Sequence, residues 1–181
     1  MDIQYDGQFL TANAYDISEE GDTITQKSFK RKAYSGRPEN GIFDYSVENQ
    51  ATRGSGPLPE GSYYINPQKI QRYNPSVLEN TIDHIGGALG QIHPKLKRGT
   101  RPGGTTSWGN GLIDIYPNEV EVDYNGKKIK RDKFTIHGGT EPGSAGCIDL
   151  LDNDEEFFDF IDTNKGNLDS VALKVDYSQF K

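Results

Sequence analysis

Hydrophobic and polar residues alternate along much of this chain, as they do in strands that bury one face of a sheet. Asp6-Gly7 and Asn125-Gly126 fall between neighbouring alternating segments, and both dipeptides favour tight hairpin turns. The pattern therefore predicts a mainly β fold built from short strands. The alternating segments are residues 3–5, 8–15, 43–47, 62–66, 112–117, 120–124, 127–130, 134–136, 147–150 and 171–175.

Two segments have the spacing of helices instead. Residues 154–163 place apolar side chains on one face, carry acidic residues in the first turn and follow a potential N-cap at Asp152 or Asn153. Residues 74–85 form a second candidate helix, which ends at a glycine pair. We therefore expect a mainly β fold with a minor α+β character, a sandwich or barrel with one or two short helices.

Composition limits the partners that this chain can have. Its 181 residues fit one domain, residues 1–181. Because phosphate binding needs a basic surface, the net charge of −7 argues against nucleic acid.

The start of the chain is acidic and lacks an apolar stretch, so we expect cytoplasmic synthesis without a signal peptide. No segment has the apolar length that spans a bilayer, so we expect no membrane insertion.

Metal and cofactor chemistry are not expected either. His84 and His93 have no cysteine or clustered carboxylates at the spacing of metal ligands, so we interpret both as structural or surface residues. The basic runs at residues 27–32 and 95–101 are short, and we interpret them as solvated surface. The expectation is a protein with no metal and no cofactor.

The strongest chemical signal is the pairing of His137 with Cys147, the single cysteine of the chain. A strand-like segment ends at His137, a glycine-rich loop follows, and Cys147 begins the next strand-like segment. This spacing brings an imidazole close to a thiol. The thiolate is the reactive form of cysteine, and an adjacent imidazole can take the proton or lower the pKa of the thiol.

The residues around Cys147 suit a nucleophile. Gly146 leaves room for a substrate at the sulfur, and the backbone N–H groups of Gly146 and Cys147 can form an oxyanion hole. Ser144 either donates a hydrogen bond to the substrate or holds the loop. Trp108 either packs on the core or forms a wall of the substrate cleft. Asp149 either orients the site or faces solvent.

The motif His137-Gly138, a glycine-rich loop and Ser144-Ala145-Gly146-Cys147-Ile148 resembles the signature of YkuD-type L,D-transpeptidases. That family usually has His where this chain has Ala145, and Arg or Asn near Asp149. These departures are similar to the L,D-transpeptidase-like effectors of type VI secretion systems. Their further landmarks resemble Tyr34-Ser35-Gly36, Gln50 and residues 56–63, so the resemblance covers roughly residues 33–152.

The resemblance implies a YkuD-like fold and a cysteine enzyme that acts on peptidoglycan stem peptides. His137 would pair with Cys147, and the backbone carbonyl of Gly138 would hold the imidazole. Further contacts to the substrate would come from Gly139, Tyr34, Gln50 and Trp108. An effector of this kind would be secreted into the periplasm of a target bacterium, and its partners would be a secretion apparatus and a cognate immunity protein.

Two other classes of protein remain as alternatives. One is a different cysteine peptidoglycan hydrolase, such as an NlpC-type endopeptidase, although those enzymes place Cys before His and this chain has the reverse order. The other is an acidic, β-rich binding module in which Cys147 is a small buried residue. The Ser, Gly and His residues around one cysteine favour the enzyme.

Overall fold

The computed structural model describes residues 1–17, 24–72 and 107–181. The helix expected at residues 74–85 lies outside the described residues, as do His84, His93 and the basic segment 95–101.

The described part of the chain is built mainly from β-strands, which confirms the predicted fold class. Two α-helices have both ends within the described residues: α1 (Val47–Ala51) and α2 (Asp154–Asn164). The strands are β1 (Asp2–Tyr5), β2 (Phe9–Ile17), β3 (Ile24–Lys32), β4 (Tyr34–Gly36), β5 (Gly61–Ile65), β6 (Gln71–Arg72), β7 (Gly111–Tyr116), β8 (Glu119–Tyr124), β9 (Lys127–Asp132), β10 (Thr135–His137), β11 (Ser144–Asp149) and β12 (Val171–Val175).

Ten of these strands form one sheet with a nearly closed, barrel-like shape. The order is β3-β2-β1-β12-β5-β7-β10-β11-β4, and β6 also pairs with β7. Two neighbouring pairs are parallel, β1 with β12 and β10 with β11, and the other neighbours are antiparallel. β8 and β9 form a separate hairpin. Its turn has positive φ angles at Asn125 and Gly126, as the sequence predicts.

The alternation at residues 43–47 does not produce a strand, so that prediction is wrong. Val47 instead begins α1, and the Ser46 hydroxyl caps the helix by accepting a hydrogen bond from the backbone N–H of Asn49 at 3.3 Å. The buried side-chain amide of Gln50 then donates to the backbone carbonyl of Tyr45 at 2.7 Å. These local side-chain bonds favour a helical turn over an extended segment.

α2 begins where the sequence predicts, but its predicted cap does not form. Asn153 stands at the N-cap position, and its side chain makes no capping hydrogen bond. A single 3-10 turn at Leu151–Asn153 leads directly into the helix, so the backbone at Asn153 (φ −89, ψ 4) lacks the extended conformation of a capping residue. The Asn153 amide donates to the carbonyl of Leu150 instead, at 3.1 Å.

Aromatic side chains supply much of the core, and α2 contributes two of them. Phe157 and Phe158 are fully buried, and the ring of Phe157 lies 5.3 Å from the ring of Phe29 on β3. This contact fixes α2 to the sheet. The first residue of α2, Asp154, is also fully buried, and the orientation of the helix thereby brings a carboxylate to the candidate site.

We expect Phe157→Ala to lower the free energy of unfolding by about 3–5 kcal/mol, because it deletes a fully buried ring and leaves a cavity. Ile42→Ala is the control, since Ile42 is 72% exposed, and it should change stability by less than about 0.5 kcal/mol. Denaturant unfolding measures both variants. Equal stability of the two variants would contradict this description of the core.

Candidate active site

The candidate site is built on the parallel pair β10 and β11. Ile136 pairs with Ile148, and His137 pairs with Asp149. Both isoleucines are fully buried in the core. Because successive side chains of a strand point to opposite faces, His137 and Asp149 lie on the other face of the pair.

The same register places Thr135 opposite Cys147, one step before each isoleucine. Thr135, His137, Cys147 and Asp149 therefore form a block of four side chains on one face of two strands. The Thr135 hydroxyl donates a hydrogen bond to the Cys147 sulfur at 3.2 Å, which agrees with this placement. Cys147 lies inside β11. The sequence had placed it at the start of a strand, so that prediction is wrong.

The Cys147 thiol is almost completely buried, because the residue is only 7% exposed. Burial raises the pKa of the thiol, but the interactions with His137 and the hydrogen bond from Thr135 outweigh burial, so the pKa lies below its usual value. The Ser144 hydroxyl donates to the backbone carbonyl of Cys147 at 2.8 Å. Ser144 therefore holds the backbone on which the thiol is carried.

The His137 imidazole is oriented by a backbone carbonyl. Its Nδ1 atom lies 2.5 Å from the carbonyl oxygen of Gly138, so the Nδ1–H group donates to that oxygen and Nε2 is the nitrogen left for the thiol. Nε2 is buried and makes no hydrogen bond within the described part of the chain. Burial lowers the pKa of His137, but the interaction with Cys147 outweighs burial and raises it. Both shifts favour a thiolate–imidazolium pair.

Asp149 does not face solvent. It is 2% exposed, and its carboxylate accepts a hydrogen bond from the backbone N–H of Leu151 at 2.9 Å. Burial raises the pKa of this carboxyl group. Its charge also contributes, less than the thiol does, to the raised pKa of His137, the residue opposite it in the sheet. Of the two alternatives open in the sequence, the structure therefore excludes the one in which Asp149 faces solvent.

The ring of Trp108 covers the imidazole of His137. The buried carboxylate of Asp154 holds the turn that follows Trp108. The rings of Trp108 and His137 lie 4.9 Å apart, and the Gly138 N–H donates to the Trp108 carbonyl at 3.3 Å. Asp154 accepts a hydrogen bond from the backbone N–H of Asn110 at 2.5 Å. A Cβ at Gly138 would lie 2.4 Å from the Asp154 carboxyl carbon, so only glycine fits there.

These groups open into a cleft of about 640 Å³. Its walls carry both acidic and basic side chains, and Trp108 forms part of one wall. The described residues that line the cleft are Arg37, Arg53, Gly54, Ser107, Trp108, Arg131, Asp132, Lys133, His137, Thr140, Glu141, Gly143, Ser144, Ala145, Cys147 and Asp149.

Three residues that the resemblance assigns to substrate binding do not line this cleft. Tyr34 lies on β4, where it pairs with Asp149, and its ring packs against that of Phe43 with centroids 5.1 Å apart. Gln50 is 3% exposed, and its side chain joins the Tyr45 carbonyl to the Glu60 N–H. Gly139 is buried, and its N–H donates to the carbonyl of Leu151 at 3.3 Å. The structure gives these three residues roles in supporting neighbouring segments.

Two residues of the site were not anticipated from the sequence. The signal for Thr135 was its position two residues before His137, which places both side chains on one strand face. Arg131 is 3% exposed and lines the cleft. It follows the alternating segment 127–130, and no sequence signal separates it from the lysines of that segment.

Within residues 1–17, 24–72 and 107–181, no three His, Cys, Asp or Glu side chains are grouped as metal ligands. No helix in those segments is long and apolar enough to cross a membrane.

The pH dependence of Cys147 alkylation tests the thiol–imidazole pair, and the single cysteine makes the readout unambiguous. Iodoacetamide reacts with the thiolate, so the wild-type rate should fall only as the pH drops through the lowered pKa of the thiol. His137→Asn removes the interaction that lowers the pKa of the thiol most, whereas burial still raises that pKa. The midpoint of the alkylation profile should therefore move to higher pH. Thr135→Val should move it less, in the same direction. An unchanged midpoint in folded His137→Asn would contradict the pairing.

Comparison with known proteins places these observations in a family. A chain described as the structure of Bdellovibrio bacteriovorus Bd1075 aligns with 97% of this chain and 47% of its own length, at 13% identity and a TM-score of 0.45. No curated protein gave a match. The model of the Tlde1 domain matches residues 30–172, most of the chain and all of the candidate site. The chain therefore belongs to the Tlde1 domain family, the L,D-transpeptidase-like effectors of type VI secretion systems.

Proposed function

We propose that this protein is a cysteine L,D-carboxypeptidase or L,D-transpeptidase that removes or exchanges the terminal D-alanine of peptidoglycan tetrapeptide stems. The observation that carries the proposal is the buried Cys147–His137 pair, whose two pKa shifts favour thiolate and imidazolium at the wall of a cleft. Family membership supports the substrate class.

In the first half of the reaction, the Cys147 sulfur attacks the carbonyl carbon of the third stem residue, a diaminopimelate-type amino acid. The tetrahedral intermediate collapses, and its carbon–nitrogen bond breaks. The imidazolium of His137 gives its Nε2 proton to the nitrogen that leaves with D-alanine. A thioester between Cys147 and the remaining tripeptide results, and the imidazole is left neutral.

In the second half, the acceptor decides between hydrolysis and transfer. Neutral His137 takes a proton from water or from an amine, and the resulting nucleophile attacks the thioester carbonyl. Water releases the trimmed tripeptide, whereas an amine gives an exchanged or cross-linked stem. Both routes return the thiolate and the imidazolium, so the same pair serves as acid and then as base.

The backbone N–H groups of Gly146 and Cys147 are the proposed donors to the oxyanion. The regular pairing of β11 with β4 is interrupted between Ser144 and Asp149. Gly146 and Cys147 lie inside this irregular stretch. Gly146 has a φ of +103, a conformation that favours glycine. This geometry supports N–H groups that are available to a substrate.

The biological setting follows from the family. We propose that residues 1–181 act as one catalytic domain, which is secreted and damages the wall of a target bacterium from its periplasm by consuming donor stems. A producing cell would need a cognate immunity protein to avoid the same damage. Peptidoglycan stems are the substrate in this proposal, and secretion depends on the type VI apparatus.

Mass spectrometry of purified muropeptides incubated with the protein tests this function. Disaccharide-tetrapeptide should lose its terminal D-alanine, or exchange it for an added D-amino acid, and folded Cys147→Ala should do neither. His137→Asn should slow the reaction by about 10²–10⁴-fold, since it removes the general acid and base. Ile42→Ala, altered on the exposed surface, should match the wild type.

Other products would assign the protein to another class. Cleavage elsewhere in the stem would indicate an endopeptidase or an amidase. No change to the muropeptides with folded wild-type protein would favour the binding module and overturn the proposed reaction.

A further inference from the structure

Four cationic side chains line the cleft, although the chain as a whole carries a net charge of −7. They are Arg37, Arg53, Arg131 and Lys133. Within the described segments, none of the four forms an ion pair with a carboxylate. Arginines outside the cleft behave differently: Arg31 pairs with Glu156, and Arg72 pairs with Asp159 and Asp162. The cations that line the cleft beside the candidate nucleophile therefore lack carboxylate partners within the described segments.

Arg131 is the most deeply placed of these cations, at 3% exposure. Its guanidinium donates to the backbone carbonyls of Gln50 and Gly56, the latter at 2.9 Å. Neutral carbonyls fix the guanidinium without neutralising its charge, and burial lowers its pKa. A Cβ at Gly146 would lie 2.9 Å from Nη2 of Arg131, so the charge lies against the residue that precedes the nucleophile.

Arg53 is exposed and adds a second charge to the same wall. Its Nε–H group donates to the backbone carbonyl of Lys130 at 2.8 Å, which positions the guanidinium without an acid. The charge of Arg53 contributes to the lowered pKa of Arg131, after the larger effect of burial. Two guanidinium groups close enough to repel each other are stabilised when an anion binds between them.

The acids of the cleft do not supply that anion. Asp149 is engaged with the N–H of Leu151, on the strand face that holds His137. Asp132 also lines the cleft, and it forms no ion pair with a described residue. Glu141 lines the cleft and forms no ion pair with a described residue.

We propose that Arg53 and Arg131 form a subsite for the free carboxylate of the residue that the enzyme removes. This inference rests on the proposed function and identifies which end of the substrate the cleft recognises. In a peptide that ends with that residue, only a nitrogen and a Cα atom separate the carboxylate from the carbonyl under attack. A guanidinium beside Gly146 is suitably placed to bind that carboxylate while Cys147 attacks.

Such a subsite makes a terminal carboxylate a condition for efficient cleavage. Arginine binds carboxylates through paired, charge-assisted hydrogen bonds, which a neutral terminal amide does not reproduce. The enzyme should therefore act on stem ends and discriminate against stems whose fourth residue is amidated or joined to another group.

The test compares a synthetic tetrapeptide that ends in D-alanine with the same peptide ending in D-alaninamide. Wild-type kcat/KM should be at least about tenfold higher for the acid, the value expected for a charge-assisted hydrogen bond. Arg53→Gln should reduce this acid-to-amide ratio, mainly through a higher KM for the acid. Arg53→Lys should retain part of the ratio because it keeps the charge. Lys69→Gln, which removes an exposed charge outside the cleft, should leave the ratio unchanged.

Equal kcat/KM values for acid and amide in the wild type would overturn the subsite, as would an unchanged ratio in folded Arg53→Gln. A second readout separates this failure from failure of the proposed reaction. Calorimetric Kd values of the two peptides for Cys147→Ala do not depend on turnover, and the acid should bind about tenfold more tightly. Tighter acid binding without D-alanine release by the wild type would reject the reaction and keep the subsite. Equal Kd values would reject the subsite.

Discussion

The parallel register of β10 and β11 is the constraint on which the candidate site depends. It places Cys147 opposite Thr135 and Asp149 opposite His137, with both isoleucines between them in the core. If β11 shifted by one residue relative to β10, the Cys147 thiol would point into the core and an isoleucine would point into the cleft. Burial of the two isoleucines therefore fixes the positions of the four polar side chains on the other face. The same burial stabilises the fold and sets the geometry of the site.

Backbone carbonyls, more than carboxylates, hold the reactive and charged groups of this site. The Gly138 carbonyl orients His137, and the Gln50 and Gly56 carbonyls hold Arg131. A carbonyl fixes the direction of a side chain without cancelling its charge. In the proposed reaction, the charges of the imidazolium and the guanidinium therefore remain available for the thiolate and for an anionic substrate.

The sequence was most informative where structure is local and least informative where it is not. His137 and Cys147 are separated by one short loop, so their proximity follows from spacing, and the Asn125-Gly126 hairpin follows from turn chemistry. The alternation pattern reports which face a residue occupies, but not which strand lies beside it. The direct contact of Thr135 with the thiol depends on strand pairing. The burial of Arg131 depends on the distant segment that holds Gln50 and Gly56, so neither feature was predictable. The position of Gln50 away from the cleft was not predictable for a related reason, since its hydrogen-bond partners Tyr45, Glu60 and Arg131 lie in three separate segments.

The central claim is that Cys147 forms a thioester with the stem peptide, and the intact mass of the protein tests it most directly. Protein mixed with tetrapeptide is quenched in acid within the first turnover and weighed by mass spectrometry. The account predicts an added mass equal to the tripeptide acyl group, located on Cys147 and absent from Cys147→Ala. Release of D-alanine by a folded protein whose Cys147 is replaced or alkylated would contradict it.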